Sequence, residues 1–259
     1  MDQTVTARDD WDSHWEQYSE VTASNPAHEY RRQLIFRELA DLIQGPEGEG
    51  TQLLDIGSGQ GDFAREVSRR YPKTAILGLD LSQQGVEIAR KKVPSGTFLQ
   101  RDLLQSADVP PGQRQWADVA VCSEVLEHLD EPRKFLEHVS DYLAPSGRVL
   151  FTVPGGPRTF FDRHIGHRTH FTPRSFRALL ESSGFKVERV YGAGFPFFNL
   201  YKLLLLVRGR RLVTDVAAGA DTSTRGLARR VMDLFGILFR LNRARSPWGW
   251  QIVALARRS

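Results

Sequence analysis

With 259 residues, 41% hydrophobic and 25% charged, the chain has room for one α/β domain with an appendage or for two small domains, and its composition excludes a disordered or membrane-embedded class. The formal net charge of +4 is unevenly spread: from Pro196 onward twelve basic residues face only Asp215, Asp221 and Asp233, which leaves +9 there and −5 before it. Such a tail suits phosphate, anionic lipid or an acidic substrate, or it is a solvated surface. Cys122 is the only cysteine, so no intramolecular disulfide can form. It sits in an apolar run, which predicts a core thiol, and a reducing, cytoplasmic setting is the simplest expectation.

The opening stretch MDQTVTARDDWD has neither a basic nor an apolar leader pattern, so no export signal is expected. Trp11, Trp15, Tyr18, Tyr30 and Arg31 follow, a set that fits a helical lid over residues 1–50 or plain packing. Apolar residues at helical spacing predict a helix over Arg31–Ile43, ended by the breakers Gly45, Pro46 and Gly48. Strand-like runs then recur at Gln52–Ile56, Thr74–Asp80, Thr97–Gln100, Ala117–Cys122, Arg148–Val153, Lys186–Tyr191 and Trp250–Ala256, with helical patterns between most of them. Runs such as DVAVC and RVLFTV read as buried on both faces, which argues for a parallel sheet covered by helices. The domain plan is a core over 51–195, a helical insertion over 196–246 and a final core strand over 247–259. Within the insertion, Phe195–Val207 is interrupted by Asn199 and Lys202 and is too short to span a bilayer. Its two amphipathic helices would bury their apolar faces on the core, around an acceptor pocket, in a dimer or against a membrane surface.

The segment LLDIGSGQGDF reads as strand, tight turn, helix. Glycines permit positive φ and close approach, and the helix start offers unpaired N–H groups, so a nucleotide-like ligand fits. The spacing Gly-x-Gly-x-Gly, with Asp62 where a dinucleotide fingerprint wants glycine and with Asp55 before the turn, disfavours pyrophosphate. Asp80 and Asp102 end the next two predicted strands; each is placed to meet a ligand at the carboxyl edge of the sheet, or to cap the helix that follows.

On LLDIGSGQG, LGLDLS, RDLL and ADVAVCSEVLEHL, from about Gln52 to Arg189, the chain resembles class I S-adenosylmethionine-dependent methyltransferases, especially the ubiquinone-biosynthesis O-methyltransferase-like branch. The resemblance implies an α/β, Rossmann-like sheet of seven strands, mostly parallel with the last strand antiparallel, helices on both faces, and extra N- and C-terminal helices. It also implies S-adenosylmethionine as cofactor, with Asp55, Gly57, Ser58 and Gly59 at the methionine end. Asp80 and Leu81 would meet the ribose, Asp102 and Leu103 the adenine, and Ser123 the amino group through its carbonyl.

Glu124 and His128 are four apart and would share a face if helical, with Glu127 beside them. The run DRHIGHRTHFTP adds His164, His167 and His170, with Arg163 and Arg168 available to an anionic acceptor. Small-RNA 2′-O-methyltransferases have a similar Glu-x-x-Glu-His element and a later histidine. That likeness nominates Glu124, Glu127, His128 and His167 as ligands of Mg²⁺ or another divalent cation, and His128 and His167 as catalytic groups. Packing and loop hydrogen bonds are the alternative. The expected reaction is transfer of a methyl group to a hydroxyl of a small molecule: a sugar, polyketide or quinone-like acceptor. RNA 2′-O-methylation, N-methylation, a nicotinamide oxidoreductase and a silent scaffold are the competing readings. No transmembrane segment is expected, peripheral membrane contact stays open, and no RNA-binding module is recognisable.

Overall fold

A computed structural model describes residues 25–105, 108–217 and 222–259, with the side chains of Pro46, Phe161 and residues 208–229 left aside. Trp11, Trp15 and Tyr18 of the expected lid lie outside the described residues.

In chain order the elements are α1 (Pro26–Leu39), β1 (Gln52–Ile56), α2 (Asp62–Arg70), β2 (Ala75–Asp80), α3 (Gln83–Lys92), β3 (Thr97–Gln100), β4 (Ala117–Ser123), α4 (Pro132–Ser140), β5 (Leu143–Pro154), α5 (Phe160–His164), α6 (Pro173–Ser182), β6 (Phe185–Ala193), α7 (Phe197–Ala217), α8 (Thr222–Leu238) and β7 (Gln251–Arg258). The seven strands form one sheet in the order β3-β2-β1-β4-β5-β7-β6. All pairs are parallel except those of β7, which runs antiparallel to both β5 and β6. This is the Rossmann-like sheet expected from the sequence.

The period-two alternation of strand side chains explains the layers. Leu53, Val119, Val121 and Leu150 point to one face, where they join Val67 of α2, Val86 of α3 and Leu34 of α1. Leu54, Ile56, Ala120, Cys122, Val149 and Phe151 point to the other, against Leu136 and Val139 of α4 and Phe176 and Leu180 of α6. Cys122 is a buried core thiol.

Boundaries differ from expectation by more than two residues at two places. The first helix starts at Pro26 and ends at Leu39, because Asn25 caps it through Ala27 N–H (2.9 Å) and Pro26 fixes its first turn. Strand β5 starts at Leu143, five residues early: Leu143 pairs with Ala117 before a bulge restores register at Arg148. The Ala-Pro-Ser-Gly run inside it looks like a turn in sequence, yet it is this bulge.

Phe151 is fully buried and meets Phe176 and Phe185 edge-to-face at 6.0 and 5.9 Å, tying the central sheet to α6 and β6. Phe151→Ala is expected to lower unfolding free energy by about 3–5 kcal/mol, read by chemical denaturation.

Candidate active site

Strand β1 pairs with β2 on one side and β4 on the other, so successive connections leave it in opposite directions and open a crevice at its carboxyl end. There the chain turns at Gly57, with φ +72°, where an added Cβ would lie 2.4 Å from Val125 Cγ2. Gly57 and Ser58 N–H donate to Leu79 O at 2.8 and 3.1 Å, and Gly59 N–H donates to Asp80 Oδ2 at 2.7 Å. Asp80 Oδ1 accepts from Ser82 N–H at 2.8 Å. Asp80 therefore fastens the loop to the β2 edge. Asp102 Oδ1 accepts from Leu104 N–H at 3.0 Å, shaping the turn after β3. Helix α2 starts behind the loop without a side-chain cap, leaving its first N–H groups to a ligand.

Asp55, beneath this loop, is 5% exposed, and one of its carboxylate oxygens has no hydrogen-bond partner among the described residues. Burial, with the neighbouring Asp80 charge, pushes its pKa up to about 8. A ligand that brings positive charge relieves this cost, whereas a diphosphate aggravates it.

The second half of the site lies past β4. Glu124 has φ +58°, so the chain does not enter a helix there; a short 3₁₀ turn, Leu126–His128, follows. Glu124 and His128 therefore do not share a helix face as the spacing suggested. Glu124 instead forms an ion pair with Arg31 (2.9 Å) and accepts from Gln251 Nε2 (2.9 Å) and Thr152 Oγ1 (3.2 Å). The loop before α6 is clamped onto this turn, with Arg168 N–H donating to Glu127 O at 2.7 Å and the Arg158 guanidinium donating to His167 O at 3.2 Å.

The clamp brings Glu127, His128 and His167 together, with ligand atoms within 4.8 Å of one another. Glu127 Oε1 lies 4.0 Å from His128 Nε2 and 3.9 Å from His167 Nε2, and the two rings meet edge-on at 4.7 Å. Glu127 is fully buried, and neither carboxylate oxygen has a hydrogen-bond partner among the described residues. Burial first, and Glu124 second, push its pKa well above the usual carboxylate range. Burial, then the nearby His128, pulls His167 far down, and burial also lowers His170, so both rings are neutral at neutral pH.

Their tautomers follow from geometry. His170 Nδ1 is 3.1 Å from Gly156 O, which only accepts, so Nδ1 carries the proton and Nε2 a lone pair. His167 Nδ1 is 3.0 Å from that Nε2 and must donate to it. His167 Nε2 is left bare, facing an unpartnered carboxylate oxygen. A bare nitrogen opposed to an unpartnered carboxyl oxygen across 3.9 Å in a buried site is what a shared proton or a bound cation would reconcile.

Asp162 backs this relay, 3.9 Å from His167 Nδ1 and 3.8 Å from His170 Nε2, and pairs with Lys202 Nζ of α7 at 3.1 Å. Burial opposes its ionisation, but Lys202 and its hydrogen bond from Thr159 N–H prevail and hold its pKa down at about 2.

Of the nominated residues, Asp55, Gly57, Ser58, Gly59 and Asp80 gather at the β1 and β2 ends, Leu81 follows Asp80, and Asp102 and Leu103 follow β3. Ser123 ends β4, its hydroxyl 2.8 Å from that of Thr152. Glu124 stands outside the Glu127, His128, His167 group, held by Arg31; His164 is exposed, and Arg168 pairs with Asp130 at 2.6 Å. Asp162, Lys202 and Gln251 were not singled out as site residues. Their signal is visible in retrospect: Lys202 interrupts the apolar run Phe195–Val207, and Gln251 is a polar residue in a buried strand.

A family model described as a methyltransferase domain matches residues 27–190. The chain is 34% identical over 119 residues to malonyl-[acyl-carrier protein] O-methyltransferase of Halalkalibacterium halodurans, a match covering 45% of this chain and 43% of that one. It is 26% identical over 171 residues to ubiquinone biosynthesis O-methyltransferase of Aeromonas salmonicida, covering 60% and 71%. The match thus spans less than half the length of the first relative. The fold is similar to that of a TehB-like SAM-dependent methyltransferase from Corynebacterium glutamicum, with TM-score 0.57, 16% identity, and 95% and 99% of the two chains covered.

Two outcomes are expected. Between about pH 4 and pH 8 native Asp55 holds a proton that the unfolded chain has released, so its contribution to stability falls as pH rises through that window. Asp55→Asn should therefore stabilise the cofactor-free protein relative to wild type increasingly from pH 5 to pH 8, by about 1–3 kcal/mol at the upper end, while weakening cofactor binding; melting curves at several pH values check this. For the relay, long-range ¹H–¹⁵N spectra should show His167 protonated at Nδ1 in wild type and in His170→Gln, which can still accept from His167 and donate to Gly156. His170→Leu should give mixed tautomers. A wild-type His167 protonated at Nε2 refutes the relay.

Proposed function

The chain belongs to the methyltransferase-domain family, and on that premise we propose that it transfers the methyl group of S-adenosylmethionine to a hydroxyl oxygen of a small molecule, releasing S-adenosylhomocysteine. The observation that carries the donor is Asp55, a buried carboxylate under a positive-φ glycine loop that a sulfonium ligand with an ammonium group would neutralise. An oxygen acceptor is supported by the Glu127, His128, His167 group and by the names of the two relatives above, both O-methyltransferases. Sugar, polyketide and quinone-like acceptors fit equally.

The sulfonium already supplies the leaving group, so the protein has to align acceptor, methyl carbon and sulfur, exclude water and dispose of one proton. Glu127, His128 and His167 fit a divalent cation, since Glu127 is a buried carboxylate without a hydrogen-bond partner and His167 presents a bare nitrogen. When bound, such an ion would lower the pKa of the acceptor hydroxyl. Arg31 and Gln251 keep Glu124 out of that group, and Asp162 with His170 orients His167. If no ion is held, an imidazole of this histidine group is left to take the proton.

S-adenosylhomocysteine should raise the melting temperature and NAD should not; the reverse result would overturn the donor. Glu127→Gln and removal of divalent ions with EDTA should each reduce methyl transfer to the acceptor by about a hundredfold or more. Turnover untouched by both eliminates the metal reading and leaves the histidine base.

A further inference from the structure

Helices α7 and α8 lie wholly beyond the stretch matched by the methyltransferase family model, which ends at residue 190. They run antiparallel: Phe198 meets Phe239 at 5.6 Å, and Tyr201 meets Phe235 at 5.3 Å. Tyr30 of α1 closes on Phe198 and Phe239 at 5.5 and 5.4 Å. Those rings are the inward faces. The outward faces are apolar too.

Among the described residues, eleven large apolar side chains stand out in solvent, and ten of them lie between Leu200 and Trp248. On α7, Leu200, Leu203, Leu204 and Val207 follow the i, i+3, i+4, i+7 spacing of one helical stripe. On α8 and the turn after it, Leu234, Ile237 and Leu241 do the same, and Trp248 stands 60% exposed at the end of the segment. Isolated exposed leucines need no explanation; eight in one helical pair, with Leu241 and Trp248 just after it, mark a docking face.

Charge decides what docks. Arg230, Arg240 and Arg243 are exposed on the same segment, with Asp233 the one exposed acid there among the described residues. A second copy meeting the same face would set that charge against itself, and no helix among the described residues is long and apolar enough to cross a membrane. We propose that the outward face of α7 and α8 lies on the surface of an anionic lipid bilayer. Its leucine stripes enter the headgroup boundary and its arginines meet the lipid phosphates. This seating is independent of the methyl-transfer reading and rests on no residue used in it.

The test is flotation of the full chain with vesicles of phosphatidylglycerol and phosphatidylcholine against vesicles of phosphatidylcholine alone, with sedimentation equilibrium in lipid-free buffer alongside. The wild-type chain should float with the anionic vesicles at about 0.1 M salt, and less as salt rises. Leu204→Ser with Ile237→Ser, and separately Arg240→Gln with Arg243→Gln, should each weaken partition by about tenfold or more. Melting temperature and S-adenosylhomocysteine binding serve as folding checks. Failure of the wild type to float with the anionic vesicles overturns the proposal, as does flotation indifferent to the leucine and isoleucine changes. A lipid-free dimer that the same changes dissociate gives the face to a second copy and also overturns it.

Discussion

The arrangement turns on β1, the strand at which the direction of sheet growth reverses. Because it is paired in parallel on both sides, no crossover helix can cover its carboxyl end, and the loop leaving it is exposed to a ligand from above and held by neighbouring strands from the side. Asp80 at the end of β2 grips that loop through Gly59, while the turn after β4 supplies Val125 against Gly57. Two turns from different strands thus share one crevice.

Both halves are built on carboxylates that the fold leaves under-compensated. Asp55 and Glu127 are buried with carboxylate oxygens that find no hydrogen-bond partner among the described residues, and burial raises the pKa of each. Such groups cost stability and are retained where a cationic ligand offsets them. Glu124 and Glu38 show the contrast: Glu124 faces Arg31, and the buried Glu38 meets Arg189 at 2.7 Å. The fold provides partners to those two carboxylates and withholds them from Asp55 Oδ2 and from Glu127 among the described residues.

Tuning of the histidines is likewise distributed. His167 comes from the loop before α6, His128 from the turn after β4, His170 takes its register from Gly156 beyond β5, and Asp162 is charge-balanced by Lys202 of α7. The helical segment that carries the exposed apolar face therefore also reaches the histidine cluster through one buried ion pair.

The sequence by itself determined the alternation of strands and helices, because side-chain period follows backbone period, and it determined the loop from Leu53 to Gly61, because positive φ and close approach demand glycine at fixed spacing. Asp80 and Asp102 were legible for the same reason: strand ends are local. The Glu124 to His128 spacing misled, since helical reasoning puts both side chains on one face, whereas a left-handed residue at 124 turns Glu124 toward Arg31, ninety-three residues earlier in the chain. Only the tertiary structure decided which histidine nitrogen is bare, which acid is paired and where Lys202 reaches. Those depend on contacts between segments far apart in sequence, and no local pattern records them.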